Sequence, residues 1–273
     1  MKRCWNWPIG VCSWSLGASM AEVGRGMRQL GLSHVHLALG PAMEGQDPGY
    51  VSAVQAEDWA ISATMIGFPQ EDYSTLVTIR RTGGIAPDEC WERNRRIFLE
   101  AVEVTARLGV KSLSMHLGFI DDRDAAYARK MRERTVTLAD HAAGHGITLL
   151  LETGQETAED LRIFLESLCH PALAINFDPA NMILYGRGDP VAAVEVLSPW
   201  IRHVHIKDAV GTIQPGTWGT EVRWAEGQVD VKAFLDALRR NNFEGTLAIE
   251  RESGDNRIED IQLAVERLAA YGD

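Results

Sequence analysis

The 273-residue sequence predicts a single (β/α)₈ barrel. Short apolar runs alternate with longer amphipathic stretches from end to end, the rhythm of βα units around a parallel sheet. Eight such runs can be counted, and a barrel of this class needs about 250 residues. No Ser/Gly-rich linker, charge block or repeat at a 20–50-residue period interrupts the rhythm, so one domain over residues 1–273 is expected.

The expected strands are Gly10–Ser15, Val35–Leu39, Ile61–Ile66, Ser112–His116, Thr148–Glu152, Ala172–Asp178, His203–Lys207 and Leu247–Glu250. Strands covered by helices on one side and packed inside a barrel on the other read as nearly continuous apolar runs, as TLLLE, LAINFD and TLAIE do. Helices are expected over Trp91–Leu108, Asp124–Ala143, Ala158–Leu168, Val231–Arg239 and Ile258–Tyr271. Gly109 and Gly144 supply stop signals after the first two. Two connections are long. Gly67–Glu89 follows the third strand, and Gly211–Gly227 follows the seventh, so both should hang over the mouth at the strand C-termini.

Composition narrows the function classes. The net charge is −11, with no Lys/Arg cluster, which argues against a nucleic-acid partner. No stretch approaches the ~20 apolar residues of a membrane span. The opening MKRCWNWPIGVCSW lacks the apolar run of a signal peptide, so a cytoplasmic protein is expected. Cys4, Cys12, Cys90 and Cys169 are irregularly spaced and are read as free thiols, Cys12 as a packing residue.

In a barrel of this kind catalytic groups come from the C-terminal ends of different strands. The polar residues there are His116, Glu152, Asp178, the run His203, His205 and Lys207, and Glu250. Three buried carboxylates cannot all ionise cheaply without a counter-charge. Three carboxylates with an imidazole suit a hard or borderline divalent cation: Mn²⁺, Mg²⁺, Co²⁺ or Zn²⁺. His203 shares a face with His205 and is read as barrel lining. His34 and His36 are read the same way, and stand as extra ligand candidates should a second ion bind.

Four segments, LLLETGQET, INFDPANMILYG, HVHIKDA and LAIERESG, resemble in order and spacing the xylose-isomerase-like TIM barrels, in particular the sugar phosphate isomerase/epimerase group related to tagatose and psicose 3-epimerases. The resemblance implies that Glu152, Asp178, His205 and Glu250 hold one divalent ion, Mn²⁺ being the first expectation. It also implies a mechanism, in which the metal binds a ketose carbonyl and its neighbouring hydroxyl while a glutamate takes the adjacent proton to give an enediolate. Glu152 and Glu250, on strands separated by two others, would address opposite faces of one carbon, as an epimerase requires. A homo-dimer or tetramer is implied as well, with a small sugar or sugar-derived molecule as substrate.

The chain departs from the free-ketose 3-epimerases at three places. Asn181 stands where they carry a substrate-touching His, Ala158 where they carry a second glutamate, and IKDA where they carry a Glu-and-Arg segment. Lys207, Asp208, His116, Asn181 and Trp14 are read as substrate contacts, with Trp218 as a second ring for stacking. Arg81, with Arg80, Thr82, Gly83 and Gly84, would serve a phosphate-bearing substrate. The competing expectations are a keto-sugar lyase, by β-elimination from a 3-keto-glycoside on the same metal site, then an abasic-site endonuclease, then a non-catalytic sugar-binding barrel. The acidic charge opposes the endonuclease, and the two opposed glutamates oppose the pure binder.

Overall fold

The computed structural model describes residues 1–214 and 216–271. The one-domain expectation over 1–273 includes Pro215, Gly272 and Asp273, which lie outside them. Eight parallel strands close into a barrel: β1 Trp7–Cys12, β2 His34–Ala38, β3 Ala60–Ile66, β4 Ser112–Met115, β5 Thr148–Glu152, β6 Leu173–Phe177, β7 Ile201–Ile206 and β8 Leu247–Ile249. Each pairs with its sequence neighbours, and β8 closes the ring on β1 through Leu247–Ile9, Ala248–Gly10 and Ile249–Val11. The (β/α)₈ expectation holds, with every predicted strand found, Thr148–Glu152 at both of its expected ends and the others with ends shifted by at most three residues.

Helices fill the connections. Met20–Leu30, which the sequence reading did not single out, starts on a capping box in which the Ser19 and Glu22 side chains each meet the other's backbone N–H. Asp124, Thr157 and Asp230 cap the helices Ala125–Gly144, Ala158–Leu168 and Val231–Arg240. The main apolar core lies between strands and helices, with Phe98, Phe164, Phe177 and Phe234 among its fully buried side chains. Inside the ring the filling differs. A small cluster of Ala63, Leu150 and Ala174 is accompanied by buried polar side chains, His36, Asn176, His203 and His205. A barrel interior usually stacks branched apolar residues, so this polar column marks the axis that leads to the mouth.

Both long connections carry more structure than expected. Gly67–Glu89 contains the helix Leu76–Thr82, capped by Thr75. The segment after β7 forms an antiparallel hairpin, in which Thr220–Val222 pairs with Asp208–Val210. The loops meet over the mouth, where Trp218 Nε1 donates to the Tyr73 carbonyl at 3.1 Å.

Candidate metal centre and cavity

Strand periodicity puts the functional side chains on one wall. Thr148, Leu150 and Glu152 share the inner face of β5, and Ala174, Asn176 and Asp178 that of β6, because alternate residues of a strand point the same way. Glu152 pairs in register with Asn176, and Ala248 with His205, so Asp178 and Glu250 stand two residues higher at the rim. Asp178 also caps the short helix Pro179–Leu184, its Oδ1 accepting from Asn181 N at 2.9 Å.

The four residues converge. His205 Nδ1 lies 3.3 Å from Glu152 Oε1, 3.4 Å from Glu250 Oε2 and 3.7 Å from Asp178 Oδ2. Each offers one ligand atom, and these atoms all fall within 4.8 Å of one another. All four side chains are buried. Glu152 Oε2, Asp178 Oδ2 and His205 Nδ1 have no hydrogen-bond partner. A buried polar atom left unpaired costs about 1–3 kcal/mol, and a charged one more. One oxygen-preferring dication at the centre would satisfy all three, so the donor set and its geometry fit a metal ion.

Burial alone would raise all three carboxyl pKa values. At Glu250 the Lys207 ammonium, 2.9 Å away, and His205 together outweigh burial and hold the group well below the usual carboxylate range. His116 and His205 lower Glu152 in the same way, whereas at Asp178 burial prevails and the pKa rises. The charge within this cluster is therefore unevenly placed, with Glu250 the firmest anion.

Neighbouring side chains orient the two glutamates. Trp14 Nε1 donates to Glu250 Oε1 at 2.6 Å, and Asn181 Nδ2 to Glu152 Oε1 at 3.2 Å. His116 Nε2 stands 3.7 Å from Glu152 Oε1. Lys207 Nζ donates to Glu250 and to Glu252 Oε2 at 2.8 Å. Above them opens a cavity of about 630 Å³, walled by Trp14, Tyr73, Tyr185 and Trp218.

His116, Asn181, Lys207 and Trp14 all line that cavity, while two other residues read as contacts do not. Asp208 is buried behind the wall, its carboxylate accepting from the backbone N–H groups of Ala209, Gly227 and Val229 at 2.8, 2.9 and 3.1 Å. It ties down the hairpin loop and faces away because it follows Lys207 by one residue. Arg81 is exposed on the helix Leu76–Thr82, outside the cavity lining. Cys12 packs with its Sγ 3.5 Å from His205 Nε2, and burial pushes its thiol up to about 12. All four cysteines are free thiols.

Sequence reasoning missed Glu71, Tyr73, Tyr185, Glu221 and Glu252, all of which line the cavity. Only Glu252 had a legible signal: two residues after Glu250, it can face the same side.

The profile of the family described as the xylose isomerase-like TIM barrel matches residues 51–271. The chain belongs to this family. Within the fold it is similar to a xylose isomerase domain protein from Planctomyces limnophilus, 30 % identical with a TM-score of 0.88 over 97 % of each chain. It is similar also to a family protein from Mycobacterium smegmatis solved in complex with magnesium, at 18 % identity and a TM-score of 0.74 over all of both chains. Other neighbours at 16–19 % identity include epimerases and a dehydratase and share the fold. Among curated proteins, an inosose dehydratase from Clostridium tetani (strain Massachusetts / E88) is 24 % identical over 125 residues, 41 % of this chain and 42 % of that protein. The match thus spans less than half of that relative. No described helix is long and apolar enough to cross a membrane.

Proposed function

We propose that this family member is a divalent-metal-dependent isomerase or epimerase that moves a proton at the carbon beside the carbonyl of a sugar or related keto-polyol. One observation carries the reading: Glu152 Oε2, Asp178 Oδ2 and His205 Nδ1 are buried and unpartnered, on residues that with Glu250 each offer a ligand atom within 4.8 Å of the others. Glu152, Asp178, His205 and Glu250 would hold the ion, Mn²⁺ ahead of Mg²⁺, Co²⁺ and Zn²⁺. A cation there would supply Lewis-acid polarisation of the carbonyl, worth several kcal/mol of barrier.

The chain's own residues do the rest. Glu152 and Glu250 stand on β5 and at the end of β8 with β6 and β7 between them, Glu152 held by Asn181 and Glu250 by Trp14 and Lys207. One removes the proton from one face of the carbon, and the enediolate that forms takes a proton back from the other. Lys207 keeps Glu250 anionic. Trp14, Tyr73, Tyr185 and Trp218 enclose the substrate and exclude water.

The partial likeness to a dehydratase favours one second reading, a lyase that shares the proton abstraction and then expels a leaving group β to the carbonyl. Elemental analysis of purified protein beside Asp178→Ala and His205→Ala tests the site, with about one ion per chain expected, lost in both variants. Deuterium uptake from D₂O at the carbon beside the carbonyl, scored across ketoses and keto-glycosides, then separates the two chemistries. Label returned at that carbon in an isomer supports the first, and loss of water or an alcohol with no label taken up at that carbon in the product supports the second. A protein that holds no ion and gains no thermal stability from added divalent cations would overturn both.

A further inference from the structure

We infer that the substrate is an uncharged polyhydroxy compound and that this cavity rejects phosphorylated sugars, an inference that rests on the metal-dependent reading of the same site. Five carboxylates line the cavity, those of Glu71, Glu152, Glu221, Glu250 and Glu252, with Asp178 buried among them. The permanent cations beside them are already engaged. Lys207 Nζ is held by Glu250 and Glu252 at 2.9 and 2.8 Å. Arg251, behind the wall, is held by Glu221 at 2.7 Å and Asp260 at 2.9 Å. Six carboxylates against two cations leave a formal excess of four negative charges, and a divalent ion would only halve it.

A phosphate dianion needs a guanidinium fork or a nest of free backbone N–H groups. No arginine is among the described residues lining the cavity. In the lid, Arg80 pairs with Asp121 at 2.9 Å and lines a separate cavity, and Arg81 is exposed. Two amides of the 67–89 segment that could cradle an anion are also occupied. Gly84 N donates to Glu71 Oε1 at 2.9 Å and Phe68 N to Glu71 Oε2 at 2.8 Å, so an internal carboxylate fills the place a phosphate would take.

What the cavity offers instead is acceptors and ring faces. Carboxylate oxygens accept strongly from hydroxyl groups. Trp14, Tyr73, Tyr185 and Trp218 present flat apolar surface to the C–H faces of a sugar or cyclitol ring. The matching ligand donates many hydrogen bonds and carries no negative charge.

The test compares matched pairs on the full-length protein: D-fructose with D-fructose 6-phosphate, and myo-inositol with its monophosphate. Binding is followed by calorimetry on Mn²⁺-loaded and on metal-free protein. The phosphate ester is expected to bind at least about tenfold more weakly than its parent at low salt. The gap should narrow as ionic strength rises, because it is electrostatic. A phosphate ester that binds as tightly as its neutral parent, or more tightly, overturns the inference. Mn²⁺ titration and D₂O exchange are scored separately. Loss of either, with the pair ratio intact, counts against the proposed metal-dependent chemistry and leaves the charge selection standing.

Discussion

His36 Nδ1 lies 2.9 Å from His205 Nε2, on the side of the His205 ring opposite the carboxylates. His36 Nε2 is 3.3 Å from the Thr64 carbonyl oxygen, which can only accept, so the His36 proton sits there. Burial pushes His36 down to about 3 and keeps it neutral, so its Nδ1 accepts from His205 Nε2. With a proton held on Nε2, His205 ligates a cation through Nδ1, the atom that faces the cluster, once the second ring proton has left. His36→Ala should weaken Mn²⁺ binding by about 10–100-fold. His36→Gln, which can still accept through its amide oxygen, should recover part of the loss. Calorimetric Kd values decide it, and an unchanged Kd in His36→Ala would remove His36 from the support of the site.

A proton and a cation compete for His205. Burial opposes charge on His205, but Cys12 and the Glu250, Glu152 and Asp178 carboxylates together outweigh it and hold its pKa well above the ordinary histidine value. Cation binding at Nδ1 must therefore expel a proton. Mn²⁺ affinity should fall as pH falls, with release of about one proton per ion near neutrality. Titrations in buffers of different ionisation enthalpy measure the proton count, and a count of zero would contradict ligation through this nitrogen.

The Trp14–Glu250 bond should matter to rate more than to binding. Trp14→Phe keeps a ring but removes the donor 2.6 Å from Glu250 Oε1. Charge-assisted hydrogen bonds contribute about 1.5–3 kcal/mol, so kcat should drop about 10–100-fold. Metal content should stay near that of the parent protein. A change confined to KM would place Trp14 in substrate stacking alone.

Glu156, away from the metal cluster, sets a pH limit on stability. Burial pushes its pKa up to about 8, with Arg187 pulling only weakly the other way. Its folded pKa is above its unfolded one, so the protonated form's contribution is complete below about pH 4.5 and is lost as pH rises toward 8. Glu156→Gln should leave Tm unchanged near pH 4.5 and raise stability near pH 9 by a few kcal/mol, on the order of 3. Parallel Tm curves across that range would show that Glu156 titrates normally.

Gly84 anchors the lid in a conformation that L residues avoid, with φ +59°. A Cβ there would stand 2.0 Å from the Leu117 carbonyl oxygen. Gly84→Ala should lower Tm by at least about 3 °C. It should also speed amide exchange in residues 67–84, because the Glu71 and Asn94 bonds to Gly84 are strained together.

The candidate metal residues were legible because buried parallel strands read as apolar runs, and a polar residue closing each run marks the mouth. That rule lists Glu152, Asp178, His205 and Glu250 together with His116, His203 and Lys207, and the family resemblance narrows the list to the four. Asp208 was misassigned although the signal was present: strand alternation puts it on the face opposite Lys207. Arg81 could not be judged, since its exposure depends on the helix Leu76–Thr82 inside what reads as a loop.

The sequence by itself determined the barrel, through local periodicity, and the polar residues at the strand ends, from which the family resemblance selected four ligand candidates. Only the tertiary structure decided what surrounds them: Glu71 filling the lid amides, Tyr73 and Trp218 bridging two loops, and Glu252 clamping Lys207. The physical reason is range. Strand alternation acts over two residues, whereas the Tyr73–Trp218 contact joins segments 145 residues apart and forms only once the closed ring has brought both loops to the same mouth.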